Sequence, residues 1–269
     1  MSDEPAENIS GGTAGGGSAA AFDPGDATSR VEVFIDRLGE RYWQKTYGGQ
    51  DAFECLVRTI LSQNTSDKAS QPAHDELMER YGPASQRDPD LAHALANAGQ
   101  DELADAIASA GLYNQKSETI IRLAGRVVEE YGGADAFDEF VTSESPDDVR
   151  DTLLDMKGVG PKTADCVLLF AGGRDGVFPV DTHVHRIARR MGFAPPAADH
   201  EDVRQVMEAE VPASKCGFGH TAMIQFGREF CTARQPACLE GPEACPMSDL
   251  CDQVGVYPHD GDVVDPSET

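Results

Sequence analysis

The sequence predicts an all-α protein, on three observations. Apolar residues recur every three or four positions through most of the chain, strand-like alternation is scarce, and Ser145 to Val167 reads as two helices joined by a tight glycine turn. At 269 residues the chain can build a large core or two lobes, and no repeat of fixed period runs through it.

Residues 1–29 hold five acids, no base and two glycine clusters, the composition of a disordered acidic tail; residues 252–269 also hold five acids and no base and read as a second one. The first tail lacks the basic start and apolar run of a signal peptide. No stretch reaches the roughly eighteen apolar residues of a membrane helix, so a cytoplasmic protein is expected, with no membrane partner. A helix within about 30–49 comes first. Asp51 then opens a helix with a capping box to Glu54 and with Phe53, Leu56, Val57, Ile60 and Leu61 on its core face. The polar string Ser62-Gln63-Asn64-Thr65-Ser66-Asp67 follows. Pro72 argues against an unbroken helix from Ser66, the next helix running to Tyr81 and stopping at Gly82-Pro83. Asp88-Pro89 starts a short helix, and Asp101 to Ser109 forms another. Gly111-Leu112-Tyr113-Asn114 interrupts before a long helix with Ile120, Ala124, Val127, Val128 and Tyr131 along its stripe.

The helix pair comes next. Ser145 caps its first helix, with Pro146 in the first turn and Asp148 completing a capping box. Gly158 and Gly160 are both expected at positive φ, and Pro161 opens the second helix where its missing N–H costs nothing. Bare glycines beside a helix N-terminus make a seat for an anion such as phosphate, although Gly-x-Gly by itself is equally an ordinary turn. Lys162 lands in the first turn, an unfavourable place for a solvated cation. Asp181, nineteen positions on, precedes a helix and suits an N-cap. Helices follow at 182–191, 200–210 and about 217–230. His183 and His185 stand two apart on a helix and point different ways, so no metal is assigned to them.

Of seven cysteines, Cys55, Cys166 and Cys216 sit singly in helical contexts as small buried thiols. Cys231, Cys238, Cys245 and Cys251 crowd into 21 residues, separated by six, six and five. Absence of a secretion signal argues against two disulfides, and the gaps exceed the usual pairs of a structural zinc site without excluding zinc. Net charge is −25, and with five acids in each tail 37 acids still face 22 bases between Arg30 and Cys251. Only six bases are lysines, a balance expected of a protein working in concentrated salt, where repulsion is screened to within ~3 Å at molar strength. Taken by itself this composition argues weakly against nucleic acid.

The string Leu-x-x-Met-Lys-Gly-Val-Gly-Pro-Lys-Thr-Ala from Leu153 to Ala164 resembles the helix-hairpin-helix of DNA base-excision glycosylases, and Val180-Asp181-Thr182-His183-Val184-x-Arg186 resembles their glycine- and proline-rich loop with its aspartate. Within that superfamily the chain looks most like endonuclease III, from about Arg30 to Cys251. The resemblance implies a two-lobed helical fold. One lobe spans 50–172 with the helix-hairpin-helix at about 145–171, and the other combines 30–49 with 173–251. It further implies that double-stranded DNA with a damaged base or abasic site lies between the lobes, bound by a monomer at the nucleoid. Lys162 would be the nucleophile and Asp181 the catalytic carboxylate, with Lys162 marking the enzymes that also cleave the strand. An amine attacks carbon only when neutral, so such a lysine needs desolvation or neighbouring positive charge. Gln63, Asn64 and Leu112 would fill the hole left by the flipped nucleotide, against a plain helix end for the first two and ordinary core for Leu112. Lys157, Gly158, Gly160 and Arg186, with Arg189 and Arg190, are candidate phosphate contacts, though the arginines equally suit ion pairs in so acidic a chain.

By the same resemblance Cys231, Cys238, Cys245 and Cys251 ligate a 4Fe–4S cluster. The family's middle gap is usually two residues and here it is six, from Leu239 to Ala244, with Gly241-Pro242 reading as an outward bulge. The implied activity is a bifunctional DNA glycosylase/AP lyase on oxidised pyrimidines. The alternatives are an adenine- or thymine-mismatch glycosylase of the same fold, a non-catalytic DNA clamp, and a redox protein built around the cysteine loop.

Overall fold

A computed structural model of the chain describes residues 19–20, 22–42, 44–45, 49–65, 67–83 and 89–269. Among them twelve α-helices follow in order: α1 (Arg30–Gly39), α2 (Ala52–Ser62), α3 (Asp67–Tyr81), α4 (Leu91–Ala96), α5 (Gln100–Ala106), α6 (Tyr113–Tyr131), α7 (Ala134–Ser143), α8 (Pro146–Asp155), α9 (Pro161–Phe170), α10 (Thr182–Arg190), α11 (His200–Glu210) and α12 (Ala213–Glu229). The only strands among the described residues are two-residue pairings: β1 (Ala19–Ala20) with β2 (Gln44–Lys45), and β3 (Val256–Tyr257) with β4 (Asp262–Val263). Of the expected tail at 1–29, residues 1–18 and 21 lie outside the described residues, as does Asp88 of the expected Asp88-Pro89 helix start; Phe22, in the described part, stacks on Phe218 at 4.1 Å.

Two compact units divide the chain, Met1–Thr46 with Asp175–Thr269, and Tyr47–Arg174. In the second, α2 and α9 are the apolar interior. Phe53, Leu56, Val57, Ile60 and Leu61 are buried on α2, and every residue from Thr163 to Leu169 is buried on α9. Asp165 on α9 is buried too, and it is tied to Arg150 of α8 at 2.7 Å. Such a pair fixes how two helices register more than it adds stability. Asp51 caps α2 by accepting from the Glu54 amide, yet Glu54 does not close a capping box; its carboxylate faces His74 of α3 at 3.3 Å.

Three elements depart from the sequence expectation. Helix α3 runs through Pro72 without a break. Proline removes one backbone bond, but its ring is exposed while Ala73, His74 and Leu77 are buried, and their packing outweighs the loss. Helix α4 begins at Leu91, capped by Asp90. Helix α7 was not anticipated; it starts after Gly132-Gly133 with no side-chain cap, and only Ala134, Phe137 and Val141 mark its inner face.

In the first unit, Phe34, Ile35 and Leu38 of α1 pack with Val184 and Ile187 of α10 and with Phe218, Ala222 and Phe226 of α12. Lys215 of α12 binds Glu32 at 2.8 Å and Asp36 at 2.5 Å, both on α1. The acidic C-terminal stretch is not a loose tail. β3 pairs with β4, Pro266 is buried, and Asp265 takes both terminal nitrogens of the buried Arg189, each at 2.9 Å. That bond, with donors from Ser267, holds the Asp265 carboxyl well below its ordinary 3.8. Asp265→Ala would leave the Arg189 guanidinium buried and short of its partner. Since Asp265 itself is half-exposed, the expected loss is about 2 kcal/mol, between a surface pair and a fully buried one, read as a lower melting temperature. The folded-state pKa is depressed, so the contribution is present at neutral pH and drains away as pH falls below 3.8 toward the folded value.

Candidate active site and nucleic-acid interface

The site begins at the turn between α8 and α9. Ser145 caps α8 by accepting from the Asp148 amide, and Asp148 turns its carboxylate to the Ser145 hydroxyl instead of closing a box. Met156 is buried, Lys157 and Gly158 are exposed, and Val159 is pinned beneath. Gly158 sits at φ +100°, and a Cβ there would meet Thr119 Cγ2 at 2.7 Å. Gly160 corrects the expectation: its φ is −104° with ψ 174°, extended backbone that any residue adopts. A Cβ at Gly160 would meet nothing within 4 Å. The fold therefore requires glycine at 158 and not at 160, where a bare backbone matters only to something arriving from outside. No side chain caps α9, and Lys162, half-buried, stands in its first turn.

Helix α6 braces this turn. Arg122 donates to the Lys157 carbonyl at 3.1 Å, and Arg126 reaches the Asp155 carbonyl at 3.0 Å and its carboxylate at 2.8 Å. The loop after α2 joins the same face, because Gln63 Nε2 donates to the Gly158 carbonyl at 3.3 Å and to Thr163 Oγ1 at 3.2 Å. Asn64 is exposed at φ +53°. Thr65 Oγ1 in turn donates to the Ala110 carbonyl at 2.5 Å, linking that loop to the one before α6. There Gly111 at φ +64° is followed by Leu112 at φ +49°, and Leu112 is 57% exposed, which removes the ordinary-core reading. A left-handed non-glycine costs roughly 1 kcal/mol or more, and two such residues, Asn64 and Leu112, stand on this one face.

Sequence reasoning missed the residues that hold these loops. Lys116 is 4% exposed and donates to the Leu61 carbonyl, Thr65 Oγ1 and the Ala110 carbonyl. A signal was present, since Lys116 falls in phase with Ile120, Leu123 and Val127 on the buried stripe of α6. Arg122 and Arg126 gave no signal, because they face partners about thirty residues away.

In the other unit Asp181 caps α10, and both of its amide bonds, from His183 and Val184 at 2.8 and 2.9 Å, end on Oδ1. Oδ2 carries neither. His183 bonds Arg186, whereas His185 stacks on His200 at 4.0 Å and bonds the Ala198 carbonyl, and burial lowers the pKa of both. The arginines of α10 do not serve as expected. Arg186 is spent on the carbonyls of Cys231 and Gly227, Arg190 on those of Thr232 and Ala233, and Arg189 on Asp265. They cradle the cysteine segment and the C-terminal stretch.

Cys231, Cys238, Cys245 and Cys251, none joined by a disulfide, line one pocket with Met191, Phe226 and Phe230. Among the described residues, no three His, Cys, Asp or Glu groups converge as ligands of a single ion. The six residues between Cys238 and Cys245 fold as two short 3-10 turns, Ala237–Glu240 and Pro242–Ala244, jointed at Gly241 with φ +126°. Burial, reinforced by neighbouring thiols, pushes Cys238 and Cys245 up and Cys251 to about 12. N–H donors already point at two sulfurs, Arg190 Nη1 at 3.7 Å from Cys231 Sγ and the Gln253 amide at 3.3 Å from Cys251 Sγ. The donor set fits an iron–sulfur cluster.

A hairpin anion seat, a lysine one step into the following helix and a four-thiolate loop together define a base-excision DNA glycosylase of the helix-hairpin-helix class. The sequence model of the HhH-GPD superfamily base excision DNA repair protein matches residues 57–213, and that of the iron-sulfur binding domain of endonuclease III matches residues 231–251. Endonuclease III of Thermotoga maritima is 33% identical over 222 residues, 82% of this chain and 92% of that protein; Bacillus subtilis endonuclease III is 31% identical over 82% and 91%. A solved non-covalent endonuclease III–DNA complex superposes with a TM-score of 0.67 at 26% identity, covering 84% of this chain and 96% of that one. A thermostable thymine-DNA glycosylase, TM-score 0.66 at 23% identity over 83% and 96%, shares the fold. The chain belongs to the endonuclease III family. Its members are DNA glycosylase/AP lyases that carry a 4Fe–4S cluster, and the cysteine loop is that cluster's site here.

No helix among the described residues is long and apolar enough to cross a membrane. A cluster ligated by Cys231, Cys238, Cys245 and Cys251 would hold the loop together by crosslinking it. Cys251→Ser is expected to bleach absorbance at roughly 400 nm and to open the loop to limited proteolysis.

Proposed function

We propose that this protein excises oxidised pyrimidines from double-stranded DNA and then nicks the strand on the 3′ side, with Lys162 as nucleophile and Asp181 as the carboxylate that steadies the reacting sugar. The observation that carries this is at the hairpin. Gly160 is a glycine that neither its φ nor any neighbour requires, and Lys162 follows it by two residues in the first turn of an uncapped helix. Backbone N–H groups there donate to phosphate oxygens without sequence preference, with exposed Lys157 beside them.

In the reaction, the neutral Lys162 amine attacks C1′ of the flipped nucleotide, and the C1′–N bond breaks with its electron pair leaving on the base, which takes up a proton. Opening of the sugar ring gives a protonated Schiff base on Lys162. Loss of a C2′ proton then expels the 3′ phosphate by β-elimination, leaving an unsaturated aldehyde that water releases from the lysine. Asp181, fixed by two α10 amides, offsets the positive charge that builds on the sugar as the base departs. Asn64 and Leu112 enter the vacated stack, with Gln63 released from Gly158 to join them. Acting on chromosomal DNA, the protein would do this work in the cytoplasm, at the nucleoid.

The test is a set of duplexes carrying thymine glycol, uracil, 8-oxoguanine opposite cytosine, or adenine opposite 8-oxoguanine. Base release with a β-elimination end is expected from thymine glycol. Release from the adenine mismatch without a nick overturns the proposal in favour of a mismatch glycosylase.

A further inference from the structure

Among the described residues, no carboxylate is paired with Lys116. Its ammonium is buried, its three hydrogen bonds all end on neutral oxygens, and it sits in the first turns of α6, where the helix dipole opposes a cation. What it does face is two chain ends. The Leu61 carbonyl at 2.7 Å belongs to the last turn of α2, and the Ala110 carbonyl at 2.9 Å ends the 3-10 turn Ala108–Ala110. Both are carbonyls that a helix terminus leaves without a partner. The third bond, at 2.7 Å, goes to Thr65 Oγ1, whose own proton goes to Ala110. From these anchors the chain runs one to three residues to Asn64 on one side and to Leu112 on the other, the two left-handed non-glycine residues of this face, both exposed.

We propose that Lys116 is the positioning residue that holds the loops of Asn64 and Leu112 at a fixed spacing, so that both enter the DNA stack as one unit. This rests on the reading that those loops fill the hole left by the flipped nucleotide. An apolar side chain in place of Lys116 leaves both helix ends unbonded and each loop free to relax its left-handed residue separately.

The experiment compares two substrates with holoenzyme variants. One is a duplex bearing paired thymine glycol, which needs flipping and plugging. The other is a duplex whose abasic nucleotide is already extruded as a one-nucleotide bulge, scored by borohydride trapping. Lys116→Met is expected to slow single-turnover excision from the paired duplex by about 10²-fold while trapping on the bulge stays within a few-fold of wild type. Thr65→Val, a milder cut in the same network, follows the same pattern with smaller amplitude. Equal losses on both substrates make Lys116 a stability residue and overturn the proposal. Leu112→Ala separates the two levels. If it slows the paired duplex and Lys116→Met does not, the coupling is wrong and the plug stands; if Leu112→Ala itself has no effect on the paired duplex, the plug reading fails and the proposal with it.

Discussion

Lys162→Ala is expected to abolish both borohydride trapping on abasic duplex and strand nicking, a loss on the order of 10⁴-fold or more because the proposed nucleophile is gone. The fold should not notice. Lys162 is half-buried at the start of α9, while the packing of that helix comes from Thr163 through Leu169, and alanine is a better helix former than lysine. Lys162→Arg discriminates further. It keeps the positive charge beside the hairpin, so DNA binding should persist, yet a guanidinium stays protonated and cannot attack carbon. A variant lacking the amine that still traps DNA would move the nucleophile elsewhere in the chain. Loss of binding in Lys162→Arg together with loss of nicking would instead make Lys162 a phosphate contact.

The hairpin was legible in the sequence because its determinants are local. Ser145, Pro146, Gly158 and Pro161 each act within a turn of their own position, and the structure uses each at its expected place. Gly160 was given the wrong reason, since positive φ is the local explanation for a turn glycine and this one answers to nothing within the chain. Pro72 shows the opposite limit: a local prohibition overridden by the burial of Ala73, His74 and Leu77 around it. Long-range bonds leave no sign in the sequence of which partner they join. Arg189 and Asp265 are 76 positions apart, so an acidic C-terminal stretch read by composition alone looked like a tail. Lys116 and Leu61 are 55 apart, and nothing in Leu61 announces a carbonyl that needs a cation.

The same distances explain how a chain of net charge −25 handles DNA. Its arginines are largely committed to its own oxygens: Arg30 to Asp252, Arg37 to Asp249, Arg126 to Asp155 and Glu130, Arg204 to Glu201 and Glu208, and those of α10 to the cysteine segment and Asp265. A basic patch is therefore a poor guide to the interface. On the proposed reading, recognition falls to backbone N–H groups of the hairpin, whose partial charges are fixed in place and need no lysine.

Asp181→Asn should separate the two roles that one carboxylate holds. Asparagine caps a helix about as well as aspartate, and both amide bonds in the native protein end on a single oxygen that an asparagine side chain also supplies. Stability is thus expected to move by less than about 0.5 kcal/mol, whereas Asp181→Ala, which removes the cap, should cost about 1 kcal/mol. Catalysis should fall steeply in both. Charge developing on the sugar loses its counter-charge, and a fixed electrostatic partner of that kind is worth about 10²- to 10³-fold in kcat. The loss should appear in kcat and not in KM, because the ground-state nucleotide carries no positive charge for the carboxylate to meet. Thermal melts and single-turnover excision on the same preparations provide the comparison. Full activity in Asp181→Asn, with destabilisation confined to Asp181→Ala, would reduce Asp181 to the helix cap its geometry already makes it, and the stabilising charge would have to come from another carboxylate.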